Sequence, residues 1–162
     1  MAIVLLRVDE RLIHGQVVVG WGGPLHVDRI VVVDDDIAAS PWEQELYCLG
    51  VPPEMEAQFA PVDEARRRVP EWRDGHRRVI ALVRDIPTAL RLAEGGVLDG
   101  IEVNLGGIHH AEGRARVLPY LHLDDGDRDA LRRLAATGAR VSARDLPATR
   151  PVPLDELLEL AG

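Results

Sequence analysis

Arg7, Asp9, Arg11 and His14 fall within eight consecutive residues, Arg7-Val8-Asp9-Glu10-Arg11-Leu12-Ile13-His14, and Gly15 and Gln16 follow directly. These are the side chains that phosphoryl transfer through an imidazole requires. A neutral ring nitrogen is the nucleophile, and an arginine fork neutralises the oxygens of the transferred group. A helix beginning beside the ring adds backbone N–H donors and positive potential. A nearby carboxylate, here Asp9, fixes the tautomer or orients an arginine. The same pattern also fits a histidine that only caps or packs at a strand-to-helix turn.

Other chemistries find less support. All 19 basic residues are arginine, so Schiff-base and lysine-nucleophile chemistry are excluded. Ser40 and Ser142 lack the context of a nucleophile elbow. Neither a Walker A pattern nor a GxGxxG turn is present. His109 and His110 are adjacent in a glycine-containing stretch, but sequence neighbours rarely converge on one ion and no cysteine is near, so no metal site is expected. His26, His76 and His122 have no partner pattern and are expected to be structural or exposed. Gly106-Gly107 serves either a tight turn or a phosphate cradle.

The elements that must hold these residues follow from periodicity. Short β-branched runs alternate with helical patterns, which indicates βαβ units and a mostly parallel sheet. Strands are expected at residues 2–8, 29–34, 56–60, 78–83, 100–103 and 139–143. Helices are expected at 14–21, 41–49, 62–69, 86–94, 125–137 and 154–160, with Asp63 and Asp124 or Asp125 as candidate caps. The polar string around Asp9 therefore lies at the carboxyl end of the first strand, where open α/β sheets place their ligands. Arg84, in Arg84-Asp85-Ile86-Pro87, ends another strand and is either a phosphate contact or a surface arginine. The stretch 104–116 fits neither period and reads as a loop that is either functional or disordered. The acidic run 34–36 and the basic run 66–68 read as solvated surface. Trp21 is placed to pack behind the His14 loop, and Trp42 and Trp72 read as core or interface anchors.

At 162 residues the chain is expected to form one domain, with 46% hydrophobic and 28% charged residues, near the globular average. The net charge of −8 gives no general attraction to nucleic acid or anionic lipid. No apolar run reaches the length of a membrane span, and the first segment meets Arg7 with no basic region before it, so neither a spanning helix nor a signal peptide is expected. A single cysteine, Cys48, suits a reducing cytoplasm.

Beyond chemistry and period there is a resemblance. Residues 7–17, RVDERLIHGQV, followed by Trp21, resemble the active-site segment of the enzyme IIB components of the mannose/fructose/sorbose family of the bacterial phosphotransferase system. Asn104-Leu105-Gly106-Gly107-Ile108-His109, with Glu112-Gly113-Arg114, is similar to that family's glycine loop, and residues 134–147 are similar to its last helix, glycine turn, strand and proline. The resemblance covers nearly the whole chain, in order.

It implies a single domain over residues 1–162 with a three-layer α/β/α sandwich, mostly parallel with an antiparallel edge. It also implies a cytoplasmic phosphocarrier that takes a phosphoryl group from phospho-enzyme IIA onto Nδ1 of His14. The group then passes to a sugar carried by the membrane components IIC and IID. Arg11 matches the arginine that contacts the phosphoryl group; Asp9, Gly15 and Gln16 match supporting motif positions. Neither a metal nor an organic cofactor is implied. Arg84 and the second histidine, His110, depart from the pattern. Two other functions are weighed: a regulatory phosphoryl acceptor not coupled to transport, and a non-catalytic phosphate-binding module. The sugar, and the choice between monomer and homodimer, stay open.

Overall fold

A computed structural model describes residues 2–160. Among them, seven strands form one sheet in the order β3-β2-β4-β1-β5-β8-β9. The strands are β1 (Ile3–Val8), β2 (Arg29–Val33), β3 (Glu56–Ala60), β4 (Val79–Val83), β5 (Glu102–Leu105), β8 (Arg140–Ala143) and β9 (Val152–Pro153). All neighbours pair in parallel except β8 and β9, so the antiparallel edge is present. β1 lies between β4 and β5, with Leu6 opposite Ala81 on one side and Val103 on the other. The edge strand β9 is short and carries Pro153 beside Pro151, which leaves few free donors for another chain.

A parallel sheet is stable only with both faces covered. Alternate residues serve the two sides: Val31, Val33, Val79, Ala81 and Val83 enter one core, and Ile30, Val32, Ile80 and Leu82 enter the other. The first core is closed by α3 (Val62–Asp74), α4 (Ile86–Leu92), α5 (Asp125–Ala136) and α6 (Leu154–Leu160). The second is closed by a π-helical segment, Gln16–Trp21, whose Val17, Val18 and Trp21 are buried, together with Ile37 of α1 (Asp35–Ala38). Tyr47 of α2 (Pro41–Cys48) packs against its outside. The three-layer α/β/α architecture is therefore that of a single domain. No helix among the described residues is long and apolar enough to cross a membrane.

Several local expectations change. α3 is capped at Pro61, and Asp63 sits inside the first turn, bonded to Arg66 at 3.0 Å. The acidic run is structural: Asp34 caps α1 through the amides of Asp36 and Ile37, and Asp35 accepts from the Val62 amide at 2.8 Å and from Arg91 at 3.0 Å. Of the two candidate caps of α5 it is Asp124 that serves, in a capping box with Asp127. The stretch 104–116 is not all loop. β5 runs to Leu105, and β6 (Ala115–Leu118) pairs antiparallel with β7 (Leu121–Leu123), in a small separate sheet.

Candidate active site

The site is built where β1, β4 and β5 end together. Past Val8 the chain stays tied to both neighbours: the Asp9 amide donates to Val83 O at 2.9 Å, the Gly106 amide to Val8 O at 2.7 Å and the Glu10 amide to Gly107 O at 2.9 Å. The chain then turns sharply. The Leu12 amide bonds Asp9 O at 3.0 Å, and Leu12 takes a left-handed φ of 55°, which a residue with a γ-branched side chain adopts only when its surroundings enforce it. Here the enforcement is burial, since Leu12 is entirely inside the second core. That turn swings His14 back over Asp9.

Asp9 is the hub and is fully buried. Its Oδ2 lies 3.0 Å from Nε2 of His14 and accepts from Nε of Arg7 at 3.4 Å. Its Oδ1 accepts the Arg11 amide at 3.0 Å, with the Arg11 Nε at 3.7 Å. A carboxylate oxygen accepts, so the tautomer that completes this contact is the one with its proton on Nε2. Nδ1 of the same ring has no hydrogen-bond partner among the described residues. The His14 side chain is 14% exposed, buried along most of its surface.

Arg11 and Gln16 meet over this ring's loop, Arg11 donating to Gln16 Oε1 at 3.2 Å, and the Arg11 side chain is half exposed. His14 itself precedes the helix expected at 14–21: its carbonyl receives the amides of Val17 and Val18, both at 3.0 Å, and the π-helical turns begin at Gln16. Gly15 is helical at φ −53° and ψ −41°, and a Cβ built there would meet nothing within 4 Å. The space above it is open.

Arg84 is the sequence-predicted site residue least engaged with the others. Its Nε lies 3.5 Å from Asp34 Oδ2, and among the described residues no hydrogen bond or ion pair joins it to Asp9, Arg11 or His14. The two loop histidines part company: His109 Nδ1 lies 2.7 Å from Glu10, while the His110 ring sits edge-on to His122 with centroids 5.8 Å apart.

Three supports of the site differ from the sequence reading: Glu10 and Asn104 carry no assigned role there, and Arg7 is grouped with the arginines that neutralise the transferred group. Glu10 pins the glycine loop, holding the amide and ring of His109 and the guanidinium of Arg114 at 3.0 Å. Arg7 is wholly buried beneath Asp9, bonded to Asn104 Oδ1 and to Arg144 O at 2.8 Å, and 5.1 Å above the Trp21 ring. Burial pulls its pKa below the ordinary arginine value, against the attraction of Asp9. Asn104, also buried, is the third. One signal was available for Arg7: a charged residue inside the otherwise apolar strand Ile-Val-Leu-Leu-Arg-Val. Trp21 packs behind the loop as predicted, and Trp72 is in the core, whereas Trp42 is largely exposed.

The chain as a whole has counterparts among known proteins. Residues 3–162 match the family described as the sorbose subfamily IIB component of the phosphotransferase system (PTS). Relatives include N-acetylgalactosamine-specific phosphotransferase enzyme IIB component 2 of Escherichia coli, 32% identical over 96% of this chain and 98% of that protein. The PTS mannose-specific EIIAB component of the same organism is also 32% identical, and this chain spans about half its length, 49%. Among solved structures, the IIBSor domain of the sorbose permease from Klebsiella pneumoniae superposes with a TM-score of 0.85 at 28% identity, covering 98% of each chain. manxB from Thermoanaerobacter tengcongensis gives 0.84 at 27% identity, covering 97% and 95%. With sequence and fold in agreement, the chain belongs to the sorbose subfamily of PTS IIB components.

Proposed function

We propose that the protein is a phosphocarrier of a sugar phosphotransferase system, receiving a phosphoryl group on Nδ1 of His14 from phospho-enzyme IIA and passing it to a sugar through IIC and IID. The observation that carries this reading is the division of the His14 ring: Asp9 engages Nε2 at 3.0 Å and leaves Nδ1 unbonded. The Nδ1 lone pair attacks phosphorus in line, and the bond from phosphorus to the donor nitrogen breaks with its electron pair returning to the donor. The ring becomes cationic, and Asp9 offsets that charge through the Nε2 proton. In the second transfer a sugar oxygen attacks, the pair returns to Nδ1, and the hydroxyl proton leaves to a base of the acceptor component or to water.

Arg11 is half exposed and turned toward Gln16, so it is free to meet the phosphoryl oxygens. Gln16 holds that guanidinium over the loop until the group arrives, and Gly15 leaves the approach open. Arg84 stands at the neighbouring strand end as a second positive charge on the docking face. Positioning and charge neutralisation supply the protein's share of catalysis. A face that must serve a donor and then an acceptor is suited to transient contacts of small area. The setting is cytoplasmic.

Intact mass after incubation with phosphoenolpyruvate, enzyme I, HPr and a family enzyme IIA tests the reading. An acid-labile phosphoryl adduct on wild type and none on His14→Ala is expected. Equal adducts on both proteins would overturn it. Reconstitution with the membrane components then separates sugar phosphorylation from a purely regulatory acceptor.

A further inference from the structure

The two motif arginines differ in what holds them. Arg11 is half exposed, and among the described residues its side chain has one hydrogen bond, to Gln16, and the longer approach to Asp9. Arg7 is sealed, with 1% of its side chain exposed. Its nitrogens are occupied by Asp9, Asn104 Oδ1, Arg144 O at 2.8 Å and Asp145 O at 3.4 Å. Trp21 covers it and in turn donates to Asp145 O at 2.9 Å. The glycine loop is shaped around it: a Cβ on Gly106 would stand 2.6 Å from Arg7 Nε, so the close pass of this backbone requires glycine.

A phosphoryl group on His14 therefore has no route to the Arg7 donors, yet a buried carboxylate needs a cation that does not leave. Arg11 cannot fill that place if it turns to the phosphate. We infer that Arg7 is a positioning residue, the fixed counter-charge that keeps Asp9 aimed at His14 Nε2 while Arg11 is released to the phosphoryl group. The inference deepens the phosphocarrier reading and rests on it for the second half. Without Arg7, Asp9 would either draw Arg11 in permanently or leave its place, and in both cases the division of the His14 ring is lost.

The test uses uniformly 15N-labelled full-length protein before any phosphorylation. Long-range proton–nitrogen spectra of wild type should place the His14 proton on Nε2 in one tautomer. Arg7→Met should give a mixture of tautomers and slow phosphorylation by on the order of 10- to 100-fold. A folded Arg7→Met with a single Nε2 tautomer and wild-type transfer would overturn the inference. Should that variant not fold, wild type alone decides: on phosphorylation the Arg11 guanidinium signals should move and those of Arg7 should stay. A larger movement at Arg7 would overturn the assignment of roles. The tautomer arm needs no phosphoryl donor, so failure of the phosphocarrier reading leaves it intact and separately readable.

Discussion

A carboxylate enclosed by a histidine, an arginine and a backbone amide has three of its four lone pairs committed, and its geometry is correspondingly hard to imitate. Asp9→Asn keeps the shape but removes the charge and replaces one acceptor with a donor facing the Nε2–H. Hydrogen bonds to charged groups contribute about 1.5–3 kcal/mol, which corresponds to about 10- to 160-fold in rate. Phosphorylation of Asp9→Asn by phospho-enzyme IIA should slow by that amount, with an unchanged circular dichroism spectrum, as measured by stopped mass spectrometry. Gly15 should behave oppositely in stability and in transfer. Its helical conformation and open surroundings let Gly15→Ala raise stability by about 0.4–1 kcal/mol in urea titration, while the added methyl obstructs the docking partner and slows transfer. The candidate string itself was legible at this scale because Asp9, Arg11, His14 and Gln16 fall within eight consecutive residues. Glu10 and Arg114 were not, since what pairs them is the meeting of two loops about a hundred residues apart, which no local period encodes.

At the scale of elements, the caps decide where α1 and α3 begin. Pro61 offers no side chain to cap α3, and Asp35, arriving from α1, takes the Val62 amide instead. That contact, followed by Arg91, holds the Asp35 carboxyl below its ordinary 3.8 despite the cost of burial. A depressed folded value means the contribution is complete above 3.8 and is lost as pH falls through the lower folded value. Asp35→Ala should therefore cost about 1 kcal/mol or less at pH 7, given its half-exposed site, and the difference from wild type should fade below the ordinary value when urea midpoints are followed against pH. The principal strands of the main sheet were readable because their β-branched runs are buried on both faces. β6 and β7 were hidden by a polar lead-in, and α1 by an acidic run that looks like solvated surface until its capping partners are known.

Over the whole molecule, one sheet separates two cores. Trp72 lies in one and Trp21 in the other, so tryptophan fluorescence samples both sides while far-ultraviolet circular dichroism samples the backbone. Because β1, β2 and β4 place side chains in both, neither core can melt alone. The two signals should give one coincident urea transition, and a separate earlier fluorescence transition would show that the sides are independent. The architecture was legible from the alternation of strand and helix, whereas the burial of Arg7 at its centre depends on Asn104, Trp21 and the 144–145 carbonyls, contributed by three distant segments.

The division of the His14 ring can be read directly. Long-range proton–nitrogen spectra of the phosphorylated protein distinguish a phosphoryl group on Nδ1 from one on Nε2. Attachment at Nδ1, with the proton retained on Nε2 beside Asp9, is the expected result; attachment at Nε2 would contradict the role given to Asp9 and with it the geometry proposed for transfer.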